Sequence, residues 1–431
     1  MTRSAEAGLI VAAAMLAATG VAIVEFTRGN WLDAQAAITF IVFLLAFGGL
    51  HLATRLWASG SSTLVVPTAA FLTAIGFIEV YRIDARLGAL QRWSLLVAAA
   101  AGAGVLWLLR DHGVAVLRRY RYVMLAVGVA FLLLPLLPDR FPIGGATVNG
   151  SRLWVRLEIP GIERVFSFQP GEIAKVLIVV FLASYLAERA EAMSAVHRRI
   201  GPLWIPEPRN LFPVIIAAGA AFIILIYQRD LGASLLLFAL FVTMLYIATE
   251  RSFYVVAGAF LALAGGVVAY SAFSHVQRRI EAWIDPFGDP AGAGYQTVQS
   301  LFAMGSGSLT GSGLGLGRPD LIPAAATDFI FAAIAEEMGL AGSLAVLAGF
   351  ALLVTAGFGI ALRSRDRFRK YLAGGLSAVL ALQAFIILAG ILRILPITGL
   401  TLPFMSYGGS SLVANMVIVV LLLRVSHEER A

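Results

Sequence analysis

Apolar runs recur from one end of the chain to the other, and the short segments between them collect the charges. Uncharged or nearly uncharged stretches fall near residues 8–26, 36–53, 64–81, 93–109, 122–137, 171–187, 211–227, 231–247, 253–273, 328–362, 372–392 and 410–423. A helix needs roughly 20 mainly apolar residues to cross the hydrocarbon core of a bilayer. The pattern therefore predicts about twelve membrane-spanning helices in an all-α, polytopic integral membrane protein. Barrel strands would instead alternate apolar and polar positions. The tenth run is too long for one crossing and holds Glu336 and Glu337, so its first part is expected at the outer interface, with the span beginning near Gly339.

Composition agrees with this pattern. Of 431 residues, 60% are hydrophobic and 13% charged, with a mean hydropathy of +0.88; a water-soluble fold cannot hide so much apolar surface. Cysteine is absent, which removes disulfides, iron–sulfur clusters and thiolate zinc sites. The five histidines are scattered and form no ligand spacing. Arg3 precedes an apolar stretch in the manner of a signal peptide, but that stretch is long and other spans follow, so residues 1–26 are read as a retained first helix.

The net charge of +7 raises the question of nucleic acid, but the location of the charges answers against such a partner. Arg110, Arg118, Arg119 and Arg121 share one loop; Arg189, Arg198, Arg199 and Arg209 a second; Arg363, Arg365, Arg367, Arg369 and Lys370 a third. Even numbers of spans separate these loops, so one topology puts all of them, and both termini, on the cytoplasmic side. Arg82, Arg86 and Arg92 then fall outside, against the rule. Two long segments, 138–170 and 274–327, and a shorter one at 393–409, are left outside, and long loops are where chemistry is to be sought.

Familiar soluble-enzyme motifs are missing. The run Gly311-Ser312-Gly313-Leu314-Gly315-Leu316-Gly317 imitates a nucleotide loop but follows no strand, and is read as a flexible loop. There is no Walker A sequence, no HExxH and no nucleophile elbow. Four outer segments stand out instead. In Phe168-Gln169-Pro170-Gly171-Glu172-Ile173-Ala174-Lys175, Pro170 suits a helix start, and Glu172 and Lys175 share a helical face, as an interfacial ion pair or as charges facing a cavity. In Asp285-Pro286-Phe287-Gly288-Asp289-Pro290 both aspartates precede proline, a turn-initiating pattern. Thr327-Asp328-Phe329-Ile330-Phe331, followed by Glu336-Glu337, places carboxylates among apolar residues, and Thr327 or Asp328 is a candidate helix cap. The segment from Pro396 to Ser411 has two prolines and paired glycines, which suit a re-entrant loop.

In this order and on these loops, the four motifs resemble the RodA/FtsW/SpoVE family, the SEDS proteins. The resemblance covers roughly residues 64–424, the family's ten-helix core (61–431 as a domain), and leaves residues 1–60 as an N-terminal extension of two helices. It implies a peptidoglycan glycosyltransferase of RodA-like type. Such an enzyme polymerises lipid II at the outer face of the bacterial cytoplasmic membrane, together with a class B penicillin-binding protein and in contact with membrane lipid. On the same resemblance Asp289 matches the catalytic loop aspartate, and Glu172 and Lys175 match the family's charged pair, with Gly171 in place of serine. Arg152 and Trp154 resemble a G-x-x-R-W element with one residue inserted. Gln228-Arg229-Asp230-Leu231-Gly232 resembles Q-P-D-L-G with Arg229 replacing proline, and Ile387 stands where many members carry asparagine. Asp328, Ser406 and Gly408 complete the implied substrate-binding set.

The chemistry fits those roles. Glycosyl transfer needs a base for the acceptor hydroxyl and cations near the departing pyrophosphate. Asp289 is the candidate base, and Lys175, Arg152 and Arg229 are candidate phosphate partners. A divalent cation, Mg or Mn, would suit the leaving group, and the sequence shows no ligand cluster for it. There are two rival readings: a transporter that flips the lipid-linked precursor, which charges such as Glu172 and Lys175 would also suit, and a non-catalytic scaffold for a penicillin-binding protein, which would leave Asp289 without a necessary role.

Overall fold

A computed structural model describes residues 2–30, 34–138, 143–148, 151–157, 166–194, 196–200, 203–206, 218–219, 223–225 and 228–430. Four helices open the chain: α1 (Arg3–Thr27), α2 (Gln35–Trp57), α3 (Val65–Ile83) and α4 (Ala85–Leu108). There follow α5 (Ala115–Arg119), α6 (Arg121–Leu136), α7 (Pro170–Ser194), α8 (Leu231–Thr249), α9 (Ser252–Ala272), α10 (Ser274–Ile284), α11 (Tyr295–Gly307), α12 (Ile330–Arg363), α13 (Arg367–Ile391) and α14 (Gly409–Glu428). Among the described residues ten of these are long and apolar enough to cross a membrane, and α6 is a shorter apolar helix. Most of the expected span at 211–227, and Arg209, Asn149 and Gly150 with it, lie outside the described residues.

One helix starts well before hydropathy places it. α4 begins at Ala85 rather than near 93 because its polar residues find buried partners. Gln91 donates to the Ser406 carbonyl and Arg92 to Gln35 Oε1. The long run does break where expected: Gly339 sits at φ 63°, ψ −160°, a kink within α12. The segments between the helices are not structureless: β1 (Ile143–Val148), β2 (Ser151–Leu157) and β3 (Phe166–Phe168) form a three-stranded antiparallel sheet, and β4 (Val196–Ile200) pairs with β5 (Leu203–Pro206). Helices dominate the fold, as the all-α reading expects, and the short strands are confined to the loops.

The chain folds into two compact units, one of residues Met1–Leu108, Gly265–Ala356 and Gln383–Leu423, the other of Leu109–Ala264, Gly357–Leu382 and Arg424–Ala431. In the first, small residues let backbones approach, as usual between membrane helices. A Cβ at Gly20 of α1 would lie 2.4 Å from Ile78 of α3, and one at Gly76 would lie 2.3 Å from the Met405 backbone. α1 grips α3 with polar groups too: Glu25 accepts from the Tyr81 hydroxyl at 2.8 Å, and Arg28 donates to the Tyr81 and Arg82 carbonyls. At its other end Arg3 donates to the carbonyls of Ala58, Ser59 and Ser61.

In the second unit the basic loops meet acidic partners at one end of the helices. Arg121 pairs with Glu188, Arg367 with Glu191 and Arg369 with Glu429, while Arg424 holds Glu428 and the Arg110 carbonyl. The loops expected on a common side therefore do gather together. Two of the three arginines that broke the positive-inside pattern are engaged inside the first unit, where Arg82 bonds Glu337 at 3.0 Å and Arg92 bonds Gln35, while Arg86 is exposed.

The glycine-rich run is ordered, not flexible. Gly311, Gly313 and Gly315 take φ of 82°, 100° and 83°, which side chains resist. That path points backbone N–H groups inward. Gly315 and Gly317 donate to the Glu337 carboxylate at 2.8 and 3.1 Å, and Arg318 donates to Glu336 at 2.8 Å. The loop is a cradle for two carboxylates of α12. Gly315→Ala should destabilise the protein by more than about 1 kcal/mol, since φ is positive and the new Cβ would meet Thr27 at 2.3 Å. Gly305→Ala, in a helix with open space around it, should be neutral or stabilising by up to about 1 kcal/mol. Melting temperatures in detergent compare the two; equal losses would mean that the cradle is not under this constraint.

Candidate active site

The Asp289 loop follows α10. Asp285 Oδ1 accepts from Gly288 N–H at 3.0 Å, and the Asp289 carboxylate accepts from Gly292 and Ala293 N–H at 3.0 and 2.9 Å. Both aspartates thus shape turns, as their proline-flanked positions suggest. Gly294 is held so close that a Cβ would lie 2.0 Å from the Pro286 carbonyl. Asp289 is nevertheless exposed. A carboxylate has about four lone-pair sites, so two backbone bonds leave room to accept a proton.

What fixes this loop was not legible in the sequence. Arg393, in a left-handed conformation with φ 60°, donates to the carbonyls of Trp283 and Ile284 at the end of α10, and Trp283 Nε1 donates back to the Arg393 carbonyl at 3.0 Å. One turn earlier, Arg279 donates to the carbonyls of Ile397 and Thr398. The segment entering the Asp285–Asp289 loop is therefore bolted to residues 393–398, more than 100 positions away. Arg393 stands between Leu392 and Ile394 in an apolar run, but Arg279, beside Gln277, Arg278 and Glu281, carries no such signal.

The third and fourth motifs come together in the same unit. Ser406 Oγ donates to the Thr327 carbonyl at 2.5 Å and accepts from Leu402 N–H, and Tyr407 N–H donates to the Ala326 carbonyl at 2.8 Å. Gly408 N–H reaches Gln91 Oε1 at 3.4 Å. Ser406 and Gly408 thereby hold the loop 396–411 against the residues just before Asp328. Asp328 is half-buried. Loss of water pushes its carboxyl up to about 6, against the opposing pull of the Thr327 hydroxyl and the Arg279 guanidinium.

The remaining predicted residues lie in the second unit. Glu172 and Lys175 pair at 2.7 Å on the first turns of α7, with both side chains buried. Strand β3 leads into this helix, and it pairs with β2 through Val155 and Phe168. Arg152 and Trp154 are on β2. Trp154 faces Ala146 and Arg152 faces Thr147, so Leu153 between them is the extra residue of a β-bulge. The residue that separates the arginine from the tryptophan in sequence is absorbed there. Arg152 N–H meets the Gln228 carbonyl at 3.4 Å, which brings β2 to the Gln228-Arg229-Asp230 segment. Asp230 caps α8 through Ala233 N–H at 2.8 Å, and Gln228 is buried and donates to the Leu132 carbonyl. Arg229 is exposed at φ 60°, a backbone that proline, fixed near −65°, cannot take.

Chemically the first unit offers the exposed Asp289 carboxylate and the half-buried Asp328, on which the Arg279 guanidinium acts, and the second the buried Glu172–Lys175 pair and the exposed Arg229. Among the described residues no three acidic or imidazole groups converge as a metal centre requires, and both Asp289 oxygens are engaged with backbone.

The family described as cell cycle protein, FtsW/RodA/SpoVE, matches residues 62–431. The chain is similar to the peptidoglycan glycosyltransferase RodA of Mycobacterium tuberculosis, at 39% identity over 439 residues, 99% of this chain and 91% of that protein. In fold it is similar to a chain of a peptidoglycan synthase complex solved to describe the coordination of polymerization and crosslinking, with TM-score 0.66 and 24% identity over 86% of this chain and 98% of that one. It is also similar to the rod shape determining protein RodA of Thermus thermophilus, with TM-score 0.58 and 23% identity over 86% and 98% of the two chains.

Two outcomes follow from this geometry. The raised acid of Asp328 favours folding fully below about pH 3.8, and that contribution is lost as pH rises through about 6. The melting temperature of Asp328→Asn relative to the native protein should therefore climb between pH 4 and 6 and then level; a flat difference would mean the carboxylate is not desolvated. Removing one partner of the buried Glu172–Lys175 pair should cost about 3–5 kcal/mol, and removing both, as Glu172→Gln with Lys175→Met, should recover most of it. Stability recovered without activity makes the pair functional, whereas full recovery of both makes it structural.

Proposed function

Because this chain belongs to the FtsW/RodA/SpoVE family and is a peptidoglycan glycosyltransferase, we propose that it polymerises lipid II into glycan strands at the outer face of the bacterial cytoplasmic membrane. In this reading Asp289 removes the proton from the acceptor sugar hydroxyl. The oxygen bonds to the donor's anomeric carbon as the bond to undecaprenyl pyrophosphate breaks. Lys175, Arg152 and Arg229 lower the cost of the charge that gathers on the departing pyrophosphate. Glu172 restrains the Lys175 ammonium, and Trp154, Asp328, Ser406 and Gly408 contribute to binding.

The observation that carries the reading is the exposed Asp289 carboxylate, clamped by two backbone N–H groups in a loop that Arg393 and Trp283 brace. A base must be presented at a fixed position while keeping a free lone pair, and this turn does both. The partner is proposed to be a class B penicillin-binding protein that crosslinks the product. The topology that puts the basic loops inside turns the Asp289 loop outward.

Asp289→Asn tests the assignment. Asparagine keeps one acceptor oxygen, so one of the two turn bonds is lost, at a cost of about 1 kcal/mol. Polymer formation from purified protein and lipid II should fall by roughly 10²–10⁴. Asp285→Asn, whose single backbone bond survives the change, should retain activity within severalfold. Equal losses at the two positions, or near-normal polymer from the Asp289 variant, would remove the base and favour the flipping of lipid-linked precursor, for which the buried Glu172–Lys175 pair would also serve.

A further inference from the structure

Gly399 lies in the loop after α13 with φ +75°. A Cβ built on it would stand 3.6 Å from Asp328 Oδ2 and 3.7 Å from Arg279 Nη2, and meets nothing else within 4 Å. One carboxylate oxygen and one guanidinium nitrogen therefore face the same small volume from opposite elements. They do not close into an ion pair. Arg279 is held back by its two bonds to the Ile397 and Thr398 carbonyls, and Asp328 by the Ser406 and Tyr407 bonds that fix residues 326 and 327. Opposite charges kept apart across a gap that only glycine leaves open make a fork with one donor arm and one acceptor arm.

The group that fits the fork follows from its polarity. A phosphate offers acceptors alone and would face the Asp328 carboxylate; an ammonium offers donors alone and would face Arg279. A secondary amide offers both, a C=O for Arg279 and an N–H for Asp328, on adjacent atoms. We propose that Arg279, Asp328 and the open face of Gly399 form a subsite that binds a secondary amide of the glycan precursor. This rests on the polymerase reading above. The amide can come from a sugar acetamido group or from the stem peptide, and the two sources are separable by experiment. Arg279 and Gly399 gain a role here that their positions in the sequence do not suggest.

The test measures binding of the full-length protein in nanodiscs to lipid II and two analogues. One has the N-acetylglucosamine acetamido group replaced by hydroxyl; the other lacks the stem peptide. The native protein should lose about tenfold in affinity for one analogue, which identifies the source, since a hydrogen bond to a charged group is worth about that factor. In Asp328→Ala and Arg279→Met the same analogue should bind as well as lipid II does. Melting temperatures confirm folding, and where Arg279→Met fails to fold the Asp328 variant decides. Affinity of the native protein for lipid II should also rise from pH 5 to 7, as Asp328 ionises beside Arg279 and Thr327, and the Asp328→Ala variant should lack this rise. Loss with neither analogue, or a loss undiminished in the variants, overturns the subsite. Because binding is read apart from turnover, a protein that discriminates but makes no polymer keeps the subsite and sinks the polymerase reading.

Discussion

The first unit is organised around the need to neutralise one buried carboxylate. Glu337 sits in the apolar first half of α12, where an uncompensated charge is costly. Arg82 reaches it from α3, and Gly315 and Gly317 reach it from the glycine loop. Three stretches distant in sequence are thereby held to one point. Arg82 Nη2 also bonds the Gly317 carbonyl, so the arginine clamps the loop as well as the acid. The kink at Gly339 follows two residues later, where the Leu340 and Ala341 N–H groups donate to the Ser308 and Leu309 carbonyls. From this knot the chain runs on to Asp328 and the turns that support it.

The spanning helices were largely legible in the sequence because burial in a bilayer requires a local property, a continuous apolar run. The kink at Gly339 was legible for a related reason, since a run of that length holding two glutamates cannot cross once and straight. Less visible were features fixed by remote partners. α4 begins eight residues early because Gln91 and Arg92 meet groups that hydropathy cannot foresee. The glycine loop looked flexible because its order comes from carboxylates some 20 residues on. Strand β2 went unread although Arg152-Leu153-Trp154-Val155-Arg156-Leu157 partly alternates, because the bulge at Leu153 interrupts its period.

Of the site, the motif residues were named but their supports were not. Arg279, Trp283 and Arg393 act through backbone carbonyls, and such bonds leave no compositional trace. Asp289 shows that a turn-forming and a catalytic reading need not compete. The two N–H groups that make it a turn former also orient its carboxylate, and Asp285, with one such bond, shares the turn without sharing the restraint.

The clasp between Arg82 and Glu337 joins partners 255 positions apart. A ribosome adding about 5–20 residues per second needs some 10–50 s to supply the second after the first. Throughout that interval the cation on α3 lacks that partner, and the acid within its reach is Glu79 of its own helix. What it does have is already synthesised: Glu25 on the Tyr81 hydroxyl, and Arg28 on the carbonyls of Tyr81 and Arg82, all within the first 82 residues. The first helix thus steadies the end of α3 during the wait, and a chain begun at residue 62 would have to insert its first helix with that end unattended.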